Sequence, residues 1–372
     1  MESPTYFDDF LSGIGPTDHQ KEVMKREHAL LRERLMADVV LKPVVISTFI
    51  QGSYRRFTAN RGSIDHKCDV DIVAVTNLPR SATTAVHAHR LFQPFLQKHY
   101  PGAYEPQDRS WCITVDDEVK LDLVLTSEPD SPLLREAIAR KSLRDWEPEP
   151  GSTLSSALGL QTVQSVILAE AKRDEDFEKT EPLWIPDREL QQWEKTHPLF
   201  LIGWTAKKNL ATNGNFIRVV RAVKWWRREV APLPKYPKGY PLEHLVGECC
   251  PDGIKSVAEG VAKTFAEIAN RYANHVAALQ APVLQSRGIE EPLVDVMRRV
   301  SGDDFAGFHA KVSDAAALAR QALDSTDRDE SIRLWGRLFG SEFPSPPSDG
   351  VQVTGGFTSP AAAARPSEGR FA

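Results

Sequence analysis

The spacing of apolar positions changes character along this chain. Residues 16–40, with "PTDHQKEVMKREHALLRERLMA", carry apolar side chains at helical spacing among dense charge, which predicts a long amphipathic helix. The run "KPVVISTFIQGS" is β-branched and ends in Gly-Ser, and "CDVDIVAV" and "EVKLDLVLT" are further apolar runs with carboxylates inside them. All three read as strands. Between the last two, "SATTAVHAHRLFQPFLQKHY" reads as a helix after a turn. Residues 131–185 mix charge and proline without a clear period. From about residue 187 the spacing is helical, from "DRELQQWEKTHPLFLIGWTAKKNL" through "NFIRVVRAVKWWRREV", "PLEHLVGECC" and "GIKSVAEGVAKTFAEIANRYANHV" to "DFAGFHAKVSDAAALARQALD" and "RDESIRLWGRLFG". After Phe343, Gly, Pro, Ala and Ser dominate, which predicts a disordered tail.

The elements predict an α+β protein. Residues 1–185 form a lobe on a mixed β-sheet with the long N-terminal helix, residues 186–343 a helical lobe, and residues 344–372 the tail. A hydrophobic share of 41% with 26% charged residues fits a globular chain. The net charge of −5 excludes blanket attraction to nucleic acid or anionic membrane. No apolar run approaches the ~20 residues of a membrane span. "MESPTYFDDF" lacks the basic and apolar regions of a signal peptide, and the four cysteines form no C-x-x-C pair. These features predict a cytoplasmic protein with no membrane partner and no obligate nucleic acid.

Residues i and i+2 of a strand face one side, so Asp69 and Asp71 project together, with Val70 and Ile72 opposite. Two adjacent carboxylates repel, and a divalent cation with hard oxygen ligands, Mg²⁺, is the natural counter-charge. "VKLDLVLT" supplies Asp122. If its strand lies beside that of Asp69 and Asp71, three carboxylates converge and can hold two metal ions. The other reading is a pair of solvated edge aspartates. Gly52-Ser53, at a strand end before a helix start, offers backbone N–H groups and a hydroxyl as an anion cradle. An ordinary N-cap is the alternative. Cradle, D-x-D and a third aspartate in this order favour a triphosphate held beside metal ions.

Gly52-Ser53 followed by Asp69-Val70-Asp71 resembles the signature of the polymerase-β-like nucleotidyltransferase superfamily. The fuller "GSYRRFTANR…CDVDIVAV…VKLDLVLT" resembles bacterial cGAS/DncV-like nucleotidyltransferases, the cyclases of CBASS anti-phage operons. "NGNFIRVVRAVKWWRRE", "YPKGYPLEHLV" and "DESIRLWGRLFGSEFP" extend the likeness over residues 10–345. The resemblance implies a polymerase-β-like catalytic lobe. It implies that Gln51, Gly52 and Ser53 bind the donor triphosphate and that Asp69 and Asp71 ligate both Mg²⁺ ions. Asp122 would ligate the catalytic ion and help deprotonate the attacking ribose hydroxyl. Thr58 and Arg61 match the pattern after Gly-Ser, and Arg61 is either a phosphate contact or a solvated cation.

Helical spacing puts Arg221, Lys224 and Arg228 on one side of "RVVRAVKWWRRE". Lys224 is the candidate phosphate ligand; a solvated basic face over packed Trp225 and Trp226 is the alternative. Lys207 and Lys208 form a weaker patch. Tyr236 and Tyr240 are base-stacking candidates by position only. His66 reads as a loop histidine, and His87, His89 and His99 have no cysteine partners for zinc. Cys249 and Cys250 read as packed thiols.

The expected function is synthesis of a cyclic oligonucleotide from NTPs with loss of pyrophosphate, ATP being one substrate and GTP a second candidate. The alternatives are transfer to an RNA or protein acceptor, and a nucleotide-sensing pseudoenzyme. An RNA acceptor requires a broad basic groove. An activating partner is left open. The resemblance also implies, for some CBASS operons, a co-encoded ubiquitin-transfer-like enzyme that would conjugate the chain's C-terminal carboxylate at Ala372 to a target; a dispensable tail is the alternative.

Overall fold

The computed structural model describes residues 3–132, 134–136, 181–230 and 236–347. Residues 348–372 of the expected tail, Ala372 among them, lie outside the described residues, as does most of the stretch at 131–185. No helix among the described residues is long and apolar enough to cross a membrane.

The long amphipathic pattern becomes α2 (Asp18–Ala37), preceded by a shorter helix, α1 (Pro4–Gly13), that the periodicity did not announce. A capping box starts α2: Gln20 N donates to Thr17 Oγ1, and Thr17 N donates to Gln20 Oε1. Gln20 is buried, and its Nε2 donates to Gly62 O and Glu118 Oε2. One side chain thus ties the helix start to the segments entering two central strands.

β1 (Val45–Gln51), the single-turn α3 (Gly52–Arg55), β2 (Cys68–Thr76), α4 (Ala85–His99), β3 (Tyr104–Pro106), β4 (Ser110–Thr114) and β5 (Val119–Leu125) follow. The sheet order is β1-β2-β5-β4-β3, with β2 and β5 parallel and every other pair antiparallel. The parallel pair requires a crossover, which α4, β3 and β4 supply. On one face Val70, Ile72, Leu121 and Leu123 pack with Leu31, Leu35, Phe92 and Phe95 of α2 and α4. On the other, Phe49, Val73 and Val75 pack with Leu183 and Leu199.

Residues 183–196 correct the helical expectation that began at residue 187. They form a hairpin of β6 (Leu183–Asp187) and β7 (Gln192–Thr196). Tertiary ion pairs override local helix propensity here. Asp187 is fully buried and accepts from Arg109 Nε at 2.9 Å and Arg298 Nη2 at 2.7 Å, and Glu194 pairs with the same two arginines.

The helical part is α5 (Pro198–Ala211), α6 (Phe216–Trp225) running into a π-helical turn (Trp226–Val230), α7 (Tyr240–Cys249), α8 (Val257–Arg271), α9 (Ala273–Ala277), α10 (Gly302–Asp324) and α11 (Arg328–Phe339). Its core gathers Val219, Val223, Trp225, Trp226, Leu245 and Phe265 with Trp335 and Phe339. Helix α1 joins this core rather than the sheet: Phe7 meets Trp335 edge to face and Phe10 lies tilted against Phe339, with centroids 5.0 and 4.6 Å apart. β6 spans the position expected to divide the lobes, at 185/186.

Candidate active site

Strand register brings the acids together. Asp71 is the Cα partner of Asp122 across the parallel β2–β5 pair and of Gln51 across β1–β2. Asp69 stands opposite Lys120. One oxygen from each of Asp69, Asp71 and Asp122 lies within 4.8 Å of the others; the first two residues are half-buried and Asp122 is buried. Burial, then Asp69 and Asp122, push the Asp71 carboxyl well above its ordinary range. Burial also raises Asp122; Lys120 opposes that shift and Asp69 adds to it. Lys120 Nζ donates to Asp122 Oδ2 at 2.8 Å, whereas Asp122 Oδ1 is buried with no hydrogen-bond partner among the described residues. Arg56 and Lys120 oppose the shift at Asp71, but Arg56 is itself paired with Glu243 at 2.9 Å, which leaves the three converging carboxylates short of counter-charge. The donor set is hard oxygen throughout, so the cluster fits a divalent ion such as Mg²⁺.

At the end of β1, Gln51 is the N-cap of α3 and Gly52 turns the chain with φ +74°. A Cβ at Gly52 would lie 1.7 Å from Asp71 Oδ2. Both the dihedral and the space therefore demand glycine. The amides of Gly52 and Ser53 lie in the first turn of α3, where intrahelical acceptors are missing. Thr58 N donates back to Ser53 O at 2.9 Å, which folds the following loop under the turn.

A cleft of about 110 Å³ opens beside this turn, lined among others by Ser53, Asn60, Lys67, Asp69, Lys224 and Arg228. Lys224 of α6 donates to Thr58 O at 3.0 Å and to Glu243 Oε1 at 2.8 Å. The expected basic face is divided. Lys224 and Arg228 line the cleft, but Arg221 is buried and donates to Leu11 O at 2.7 Å, and Arg218 pairs with Asp8. Arg218 serves α1, and Arg221 reaches α1 through Leu11 O and touches the cleft only through Asn60, to whose Oδ1 its Nε donates at 3.4 Å. Arg61 is likewise turned to α1: its Nη1 donates to Gly13 O, its Nη2 pairs with Glu342 at 2.7 Å, and its guanidinium lies over Trp225.

The remaining candidates are packed. Trp225 and Trp226 are buried, Tyr236 packs against the helical core, and Tyr240 meets His244 Nδ1 at 3.2 Å with Arg56 over its ring. Lys208 pairs with Asp252. His89 is buried against Pro186 O, and Cys249 and Cys250 are free buried thiols. Sequence reasoning missed Lys120, although its i−2 spacing from Asp122 already set both on one strand face. It also missed Arg56 and Glu243, whose pairing at 2.9 Å spans 187 residues of sequence and leaves no local signal.

Residues 1–134 match the family model described as the Second Messenger Oligonucleotide or Dinucleotide Synthetase domain. The chain is 42% identical to the cyclic AMP-AMP-GMP synthase of Enterobacter hormaechei subsp. hoffmannii and 43% identical to a probable cyclic AMP-AMP-GMP nucleotide synthase of Salmonella paratyphi B, with 100% of both chains covered in each case. Among solved structures, the fold is similar to that of the Bradyrhizobium diazoefficiens CD-NTase CdnG in complex with GTP, at a TM-score of 0.64 and 12% identity over 90% of this chain and 94% of that one. The chain belongs to the cGAS/DncV-like nucleotidyltransferases, the family whose enzymes make cyclic oligonucleotide second messengers from nucleoside triphosphates in CBASS anti-phage defence.

Proposed function

We propose that this enzyme makes cyclic AMP-AMP-GMP from ATP and GTP. The choice of product rests on identity above 40% over the whole length to relatives named for that product. The chemistry rests on one observation, the convergence of Asp69, Asp71 and Asp122 beside the Gly52–Ser53 turn.

Asp69 and Asp71 would hold two Mg²⁺ ions, with Asp122 joining them at one. When bound, these ions neutralise the triphosphate and lower the pKa of the attacking ribose hydroxyl. The other roles belong to the chain. Backbone amides of Gly52 and Ser53 and the Ser53 hydroxyl cradle the β- and γ-phosphates, and Gln51 fixes the entry to that turn. Lys224 and Arg228 neutralise phosphate charge from the opposite wall of the cleft. Asp122, which converges with Asp69 and Asp71, helps accept the ribose hydroxyl proton. The ribose oxygen bonds to the α-phosphorus as the bond to the β-phosphate oxygen breaks, and pyrophosphate leaves. Repetition with a second and third nucleotide closes the ring. In this scheme the sheet lobe carries the acids and the helical lobe the cations.

The test is incubation of the enzyme with ATP, GTP and Mg²⁺, then phosphatase treatment and mass spectrometry. A phosphatase-resistant ring with two adenines and one guanine is expected. A ladder of linear polymers, or a ring lacking guanine, would overturn the proposal.

A further inference from the structure

The buried acid Glu243 lies outside the metal cluster, yet it holds both walls of the cleft. It sits on α7 and is only 7% exposed. Its carboxylate accepts from Lys224 Nζ at 2.8 Å, Arg56 Nη2 at 2.9 Å and Thr58 Oγ1 at 3.0 Å. Arg56 and Thr58 belong to the segment that follows the Gly52–Ser53 turn, whereas Lys224 comes from α6. Lys224 also donates to Thr58 O, which closes a ring of hydrogen bonds around Glu243. An ammonium has three donors. Two are directed to Thr58 and Glu243, which leaves one for the cleft that Lys224 lines. Burial works to raise the Glu243 carboxyl, but Lys224 and Arg56 outweigh it and hold it at about 2, so the acid is charged throughout the working range.

A buried charge bonded on three sides does not move freely, and neither do its partners. A lysine alone is a flexible point charge on four methylenes. We infer that Glu243 is a positioning residue for nucleotide binding: it fixes the Lys224 ammonium toward the triphosphate and locks the segment after Ser53 to the helix that carries Lys224. The inference rests on the reading of Lys224 as a triphosphate ligand. Glu243 touches no reacting atom, so its loss is expected in KM rather than in kcat.

Steady-state kinetics on Lys224→Met, Glu243→Gln, Glu243→Asp and the double variant Glu243→Gln/Lys224→Met separate the possibilities. Glu243→Gln keeps the shape but removes the counter-charge; Glu243→Asp keeps the charge and withdraws it by one methylene. Each single variant is expected to raise KM for ATP about tenfold while changing kcat less than about threefold. In the Lys224→Met background, Glu243→Gln should add no further rise, because the residue it positions is gone. If Lys224→Met raises KM and neither Glu243 variant does, the positioning role fails while the Lys224 reading stands. If Lys224→Met leaves KM unchanged, the Lys224 reading fails and the inference with it. If both Glu243 variants lose the folded state, Glu243 is a stability residue and the inference is overturned.

Discussion

Gly52 and Asp71 approach so closely that a Cβ on the glycine would lie 1.7 Å from Asp71 Oδ2. The turn that offers backbone amides and the acid proposed to hold metal are thus a single steric unit. Gly52→Ala must move one of them, and alanine at φ +74° adds strain of about 1–2 kcal/mol. We expect kcat to fall by about two orders of magnitude or more as Asp71 is displaced, with only a modest drop in Tm. Turnover and a melting curve on the same preparation check both halves.

The paired substitution Asp69→Asn/Asp71→Asn removes charge and keeps shape. Turnover should fall by about three orders of magnitude or more. In metal-free buffer the variant should melt at or above the wild-type temperature, because the carboxylates in the cluster repel one another. Added Mg²⁺ should raise the wild-type Tm and leave that of the variant where it was. A Mg²⁺ response equal in both would remove these residues from the metal site.

Arg221 and Lys224 lie three residues apart on one helix but serve different ends. Arg221→Met strips a buried donor from Leu11 O, which should cost about 1–3 kcal/mol of stability and leave KM for nucleotides unchanged. KM measurements on this variant and Lys224→Met should separate the two, unchanged in the first and raised in the second, although both lose a buried bond and both should melt lower.

Asp187 anchors the β6–β7 hairpin between Arg109 and Arg298. Burial works to raise its carboxyl, but Arg109, the Leu190 amide and Arg298 hold it at about 2. A depressed folded-state pKa gives stability that is present above the unfolded value and lost as pH falls from about 4 toward about 2. Asp187→Asn should cost about 3 kcal/mol at neutral pH, the low end for breaking a buried pair, because both arginines keep some contact with solvent. It should also flatten the acid limb of the stability profile, which denaturant melts across the pH range would record.

The sheet lobe was legible because its chemistry is written at short range. The i, i+2 aspartates fix a strand face, and "VKLD" sets a third acid on a strand of the same kind, so only the pairing of β2 with β5 had to be supplied by the fold. Longer-range relations left no trace. "DRELQQWEKT" has helical composition, and it becomes a hairpin through arginines at positions 109 and 298. Arg61 and Arg221 look like phosphate ligands in one dimension; α1, which packs back on the helical core, takes both. Glu243 sits in an unremarkable helix start, and its partners come from residues 56, 58 and 224.

The most direct measurement of the central claim is the rate of pyrophosphate release by Asp122→Asn at saturating ATP and GTP, beside nucleotide affinity measured by binding. Asn keeps the volume of the side chain and removes its charge, while Gly52, Ser53 and Lys224 stay untouched. Nucleotide affinity within about threefold of wild type is expected, with release slowed by about three orders of magnitude or more. Pyrophosphate release near the wild-type rate would contradict the assignment of nucleotidyl transfer to the cluster of Asp69, Asp71 and Asp122.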